Sequence, residues 1–122
     1  MYSNISDHTH LTEVFSTKHG AVFQNDIDRC WQVNFAGKSA SFDYRNLLKL
    51  RTAVYRIDIE QRLLDSTQSP DVEIIFICAC DHCYVLSLAQ IIALRDLLEG
   101  TFVMLELNQI IYDRLHRVPA YI

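Results

Sequence analysis

Residues 31–51 and 75–95 follow the same pattern of residues, offset by 44 positions. In each segment, alternating apolar residues are followed by apolar residues at helical spacing, which predicts a strand, a turn, a second strand and a helix. Strict identity is limited to Leu50-Arg51 and Leu94-Arg95, so the repeat is one of pattern. It predicts an α+β fold, an antiparallel sheet of about five or six strands with helices packed on one face.

The 122 residues are the usual size of one domain, so we expect a single domain over 1–122. Unit one is expected over about 29–64, unit two over about 72–116 and an N-terminal hairpin over about 12–25. The predicted turns of the two units are Gly37-Lys38 and Asp81-His82.

The predicted helices begin at recognisable N-cap residues. Asp43 and Ser87 occupy equivalent positions of the two units, and Ser87 with Gln90 forms a capping box. Gly100 and Asn108 are candidate breaks in the long helical pattern of unit two.

The composition excludes several classes of protein. Half of the residues are hydrophobic and 21% are charged, which excludes a disordered chain. The net charge of −4 argues against nucleic acid as a partner. The start, "MYSNISDHTH", is not typical of a signal peptide, and no apolar run approaches the roughly 18 residues of a membrane span. We therefore expect a cytoplasmic protein with reduced cysteines and no membrane partner.

The outer faces of the two units differ in polarity. Unit one has a polar outer face with Gln32 and Asn34, whereas unit two is apolar on both faces. Residues 29–64 hold seven Lys/Arg and three Asp/Glu, but residues 65–113 hold one Arg and eight Asp/Glu. Apolar surface of this extent predicts a homodimer, or cover by the chain's own termini. The expected interface residues are Phe76, Val85, Ala89, Ala93, Leu97, Gly100 and Met104.

The segment "CACDHC", residues 78–83, holds three cysteines and a histidine. We interpret Cys80 and Cys83 as a cross-strand pair beside a hairpin turn, with Cys78 on the same face. No second ligand pair has the spacing of a zinc site, so we expect buried thiols and no metal or other cofactor. The alternative is a zinc site formed by Cys78, Cys80, His82 and Cys83. A redox dithiol also stays open, although that motif normally begins a helix.

Arg51 and Arg95 occupy the same position of the repeat, inside the apolar arc of each helix. A guanidinium group there must be paired with an acceptor, and Glu99 lies one turn beyond Arg95. The alternative hypothesis is that both arginines face a pocket for an anionic ligand.

The segments "HGAVFQNDIDRCWQVNFAGKSASFDYRNLLKL", "VEIIFI" and "SLAQIIALRDLLEG" resemble a family of small bacterial proteins that contain a domain of unknown function. The resemblance covers about residues 19–105 and implies a two-unit α+β domain, with no activity and no catalytic residues. The family has a cysteine pair before the strand of Trp31. This chain has only Cys30 there, with Asn25 and Asp26 upstream.

Two classes of function follow from the sequence. The first is a non-enzymatic interaction or regulatory module of the cytosol that self-associates. The second is a binder of a small anionic ligand, or an enzyme, that uses a pocket near Arg51 and Arg95; its ligand is unknown. No catalytic residue can be specified from spacing, because such groups meet in space and not in sequence.

Overall fold

The computed structural model describes residues 10–64, 72–77 and 82–117. Its main sheet has four antiparallel strands in chain order, each paired with the next. The first two form an N-terminal hairpin. The strands are β1 Leu11–Thr17, β2 Gly20–Asn25, β3 Cys30–Phe35 and β4 Lys38–Phe42.

The turn between β3 and β4 consists of Ala36 and Gly37, and not of Gly37 and Lys38 as the sequence predicts. Both turn residues have positive φ, 53° and 73°, which a two-residue type I′ hairpin turn requires. Lys38 is paired with Phe35 in the sheet. Its ammonium group donates to the carbonyl of Cys83 at 3.0 Å, which links β4 to the second hairpin.

The second hairpin pairs β5, Val72–Ile77, with β6, His82–Ser87. His82 is paired with Ile77 and belongs to the strand, so the predicted turn at Asp81-His82 is wrong. Cys83 is paired with Phe76, which excludes the predicted cross-strand pair of Cys80 with Cys83. Cys78 and Cys80 lie outside the described residues.

The single sheet of five or six strands is not confirmed, because the second hairpin forms a separate two-stranded sheet. The internal repeat is not confirmed as a structural repeat either. Trp31 is paired with Phe42, but Ile75, its counterpart, is paired with Tyr84 and not with Leu86. The α+β fold with an antiparallel sheet is confirmed.

The described residues form three helices, two between β4 and β5 and one after β6, and two of the three begin at the predicted caps. The Asp43 carboxylate accepts from the backbone N–H of Asn46 at 2.8 Å. The backbone N–H of Ser87 donates to Gln90 Oε1, and the Ser87 hydroxyl accepts from the backbone N–H of Gln90. The helices are α1 Tyr44–Tyr55, α2 Ile59–Leu64 and α3 Leu88–Arg117.

Helix α3 is continuous over 30 residues and does not break at Gly100 or Asn108. At 1.5 Å per residue it is about 45 Å long. Gly100 is a candidate helix break in the sequence, but a glycine is tolerated inside a helix where close packing needs the space. An added Cβ at Gly100 would overlap the ring of Phe15, so β1 packs directly on the helix backbone here.

One hydrophobic core joins the main sheet, the second hairpin and helices α1 and α3. The buried strand residues lie on one face of the main sheet, while Gln32, Asn34 and Ser39 form hydrogen bonds with one another on the other face. Full burial of one large aliphatic side chain stabilises the fold by about 1.5–3 kcal/mol. The fully buried side chains include Val22, Val33, Leu47, Leu50, Val54, Ile91, Leu94, Leu97 and Leu98.

Candidate functional site

Most of the predicted interface residues of α3 are covered by the chain itself. Leu97 is fully buried and Ala93 nearly so, and both belong to the core. Gly100 lies under the ring of Phe15, and Met104 packs against the core. Ala93 and Leu97 are therefore not available to a second subunit, whereas contact of the half-buried Gly100 and Met104 with a second subunit stays a prediction. The physical reason is that the N-terminal hairpin packs on this part of α3.

The remaining predicted interface residues differ in exposure. Ala89 and Val85 are exposed, so they are free to contact another molecule. Phe76 lies in β5, and its side chain is outside the described part of the chain.

The second half of α3 extends beyond the core. All side chains from Glu106 to Leu115 are exposed, over ten residues or about 15 Å of helix. Five apolar residues follow one line along this part of the helix, four of them at intervals of four residues. We call this line the outer stripe: Val103, Leu107, Ile110, Ile111 and Leu115, which are 44–68% exposed.

The outer stripe is not explained by packing among the residues that the structure describes. Isolated helical segments of this length are marginal in water, and most helix stability in proteins comes from packing an apolar face. The described residues cover the stripe only in part and leave each of its members 44–68% exposed. A helix that exposes such a stripe is typical of an interaction surface.

The two arginines of the repeat connect α1 and α3 reciprocally. Arg51 of α1 lies over the ring of Phe102 in α3, with its Cζ 4.3 Å from the ring centroid. Arg95 of α3 lies over the ring of Tyr55 in α1 at 4.6 Å. Cation–π contacts of this kind contribute about 0.5–2 kcal/mol. The sequence places both arginines between the helices, but the aromatic partners were not expected.

Arg95 also has the carboxylate partner that the sequence indicates. Its Nε lies 3.6 Å from Glu99 Oε1, and both side chains are partly exposed. Burial raises the pKa of the Tyr55 hydroxyl beside them, and the Glu99 carboxylate raises this pKa further. Arg95 is thus accounted for by structural contacts, and it does not line the groove that contains Arg51.

Arg51 lines a groove of about 710 Å³ between the main sheet, α1 and the second half of α3. We call it the Arg51 groove. Aromatic rings form much of its wall: the ring centroids of Trp31 and Tyr44 are 5.7 Å apart, and those of Tyr44 and Phe102 are 6.3 Å apart. The other lining residues are Gln24, Leu105, Glu106, Asn108, Gln109, Ile110 and Tyr112.

Two hydrogen-bond donors of this groove have no acceptor among the described residues. The indole Nε1 of Trp31 is buried and makes no hydrogen bond. Arg51 has no carboxylate within ion-pair distance in this part of the chain, unlike Arg95. Leaving a buried donor unsatisfied costs about 1–3 kcal/mol. The groove therefore combines flat apolar walls with donors that lack acceptors.

The structure describes two residues of "CACDHC", His82 and Cys83. The His82 ring packs on Phe42 with centroids 5.2 Å apart, and Cys83 is an exposed free thiol. Within the described residues, no three His, Cys, Asp or Glu side chains form a cluster that could hold a metal ion. The alternative zinc site also requires Cys78 and Cys80, which are outside these residues.

Cys30 is also a free thiol, at the start of β3. Burial raises the pKa of the Cys30 thiol, and the carboxylate of Asp28 raises it further. Both effects disfavour the thiolate, which is the reactive form of the side chain.

Comparison of the chain with protein-family models, with curated proteins and with solved structures finds no match. The resemblance to a family of small bacterial proteins stays a prediction. Although α3 has 30 residues, no helix in the described part of the chain has the length and apolar character needed to cross a membrane.

Proposed function

We propose that this protein is a non-enzymatic interaction module of the cytosol that self-associates through the outer stripe of α3. The observation that supports the proposal is the exposed apolar line on a part of the helix that projects from the core. Burying the exposed half of each of these side chains in a dimer would contribute favourably at roughly 25 cal/mol per Å² of apolar area.

A second copy of the chain is the occupant that best fits the stripe. In an antiparallel pair with a two-fold axis near residue 109, Leu107 meets Ile111 of the second copy, and Val103 meets Leu115. Such a contact is isologous, since the same surface serves both copies. The apolar side chains then fill the contact without leaving a polar residue at its centre.

Charge also favours a second copy in this orientation. Glu106 is exposed at one edge of the stripe, and Arg114 is exposed near its C-terminal end, one helical turn from Ile110 and Ile111. The antiparallel arrangement brings Arg114 of each copy close to Glu106 of the other. Exposed ion pairs contribute little affinity but oppose the wrong orientation.

The proposal makes a direct prediction for Leu107→Asp. The exposed position should tolerate the charge within a folded chain, but an aspartate at the centre of an apolar contact should prevent association. Light scattering after size exclusion should give twice the mass of the 14.2 kDa chain for the wild type and the chain mass for the variant.

Gln109→Glu is the matched control, because it adds the same charge on the groove side of the same helix. It should remain dimeric. A wild-type protein that is monomeric at all concentrations from about 1 to about 100 µM would contradict the proposal. The dissociation constant of the dimer would then be above about 100 µM, which is too weak for a stable dimer. A dimer that Leu107→Asp leaves intact would move the interface elsewhere, for instance to the exposed Val85.

A further inference from the structure

We propose that the Arg51 groove binds a small ligand that carries a carboxylate on a flat aromatic body. The site does not depend on the proposed self-association: the groove shares Ile110 with the outer stripe and Glu106 with its edge, and its other lining residues lie outside the proposed contact. The inference rests on the shape of the groove, its aromatic walls and the Arg51 guanidinium group beside them.

The size and walls of the groove suit a flat organic molecule. Its volume of about 710 Å³ lies within the range of about 300–1,000 Å³ that is usual for small-molecule sites. Trp31, Tyr44 and Phe102 give the site three neighbouring aromatic rings. Aromatic rings pack favourably against another flat ring in offset or edge-to-face arrangements.

Arg51 provides the charge that selects a carboxylate. Its contact with the Phe102 ring holds the guanidinium group at the groove wall without neutralising it. A guanidinium group binds a carboxylate through two parallel N–H donors, which a neutral amide cannot match.

Glu106 also lines the groove, and its side chain is exposed at the rim. A carboxylate there opposes an anionic ligand weakly, because solvent screens exposed charges. This predicts that Glu106→Gln increases the affinity for a carboxylate by about twofold. A groove that selects cations would show the opposite change.

The test is isothermal titration calorimetry with 2-naphthoate as the probe, at low ionic strength. The flat neutral analogue is 2-naphthamide, and the analogue that is charged but not aromatic is cyclohexanecarboxylate. We expect 2-naphthoate to bind at least about tenfold more tightly than either analogue. The amide loses the charge-assisted hydrogen bonds and cyclohexanecarboxylate loses ring stacking, and each loss should weaken binding by about this factor. Trp31 is the single tryptophan, so its fluorescence should report the same binding.

Two arginine variants form a matched pair. Arg51→Met should reduce the affinity for 2-naphthoate at least about tenfold, whereas Arg95→Met, at the equivalent position outside the groove, should leave it unchanged. Circular dichroism establishes that both variants are folded, and Arg51→Lys, which keeps the charge, should retain part of the affinity.

Any one of three results would overturn the inference. The first is no heat of binding up to about 10 mM 2-naphthoate, which is the weak limit of useful affinity. The second is equal affinity for 2-naphthamide, and the third is an unchanged affinity for 2-naphthoate in Arg51→Met. The monomeric Leu107→Asp variant should bind 2-naphthoate as the wild type does. Failure of the groove proposal and failure of the self-association proposal are thereby distinguished.

Discussion

At the scale of single residues, the most informative position is Gly100, where β1 meets the backbone of α3. The ring of Phe15 occupies the space that a Cβ would need. A glycine inside a helix costs about 1 kcal/mol relative to alanine, so its presence indicates a packing requirement. That requirement also explains why the helix continues through a residue that is a candidate break in the sequence.

Gly100→Ala should therefore destabilise the protein, although alanine is the better helix former. Overpacking against Phe15 should cost about 1–3 kcal/mol, which outweighs the gain in helix propensity. Chemical denaturation measures the change in the free energy of unfolding. Asn108→Ala, at an exposed position of the same helix, is the control and should be neutral or slightly stabilising. A Gly100→Ala variant more stable than the wild type would show that β1 does not pack on this glycine.

Cys30 gives a second test at this scale. Because the pKa of its thiol is raised by burial and by Asp28, less reactive thiolate is present at pH 8 than in an ordinary cysteine. Iodoacetamide should therefore alkylate Cys30 more slowly than the exposed Cys83. Mass mapping of peptides distinguishes the four cysteines of the chain.

Asp28→Asn removes the second cause of the raised pKa and should accelerate alkylation of Cys30 without affecting Cys83. Alkylation of Cys30 as fast as that of Cys83 in the wild type would contradict this account. It would show that the Cys30 thiol is accessible to the reagent and that its pKa is not raised.

At the scale of elements, the sequence predicts local features well and pairing registers poorly. Asp43 and the pair of Ser87 with Gln90 are correct as helix caps, because a cap depends on residues at most three positions apart. The turn of the second hairpin is wrong by several residues. Pairing Cys83 with Phe76 depends on which face packs on the core, and "CACDHC" offers small apolar residues to both registers.

The contact of α1 with α3 makes a prediction about pH. The pKa of Tyr55 is raised by burial and then by Glu99, so the folded protein retains this proton at a pH where the unfolded chain has lost it. The stabilisation is complete below a pH of about 10, the ordinary pKa of tyrosine, and decreases as the pH rises above it.

The free energy of unfolding should therefore decrease less between about pH 9 and about pH 11 in Tyr55→Phe than in the wild type. The variant keeps the aromatic ring under Arg95. The midpoint of denaturation is measured at several pH values in this window. Tyr44→Phe, which removes the hydroxyl of a ring that packs beside Trp31 and Phe102, is the control. An equally steep loss of stability in Tyr55→Phe and in the wild type would contradict the assignment.

At the scale of the whole molecule, the sequence identifies the surface that lacks cover but not which part is covered by the chain. The apolar line from Ala93 to Ile111 looks uniform in the sequence. The N-terminal hairpin covers it as far as Gly100, and only the three-dimensional arrangement shows that Leu107 and Ile111 remain exposed. In the same way, the fold shows that Arg51 lines a groove and Arg95 does not.

The central claim is that two copies pack the outer stripes of α3 against each other. Photo-cross-linking tests it most directly: p-benzoylphenylalanine replaces Leu107, and mass spectrometry maps the cross-linked peptides. Mixed isotopic labelling distinguishes links between copies from links within one chain. The same amino acid at Gln109, on the groove side of the helix, is the control.

We predict that the photo-reactive group at position 107 forms links between copies that fall within residues 103–115 of α3, and that the group at position 109 forms few. Links confined to a single chain, or links between copies that fall on β6, would contradict the account.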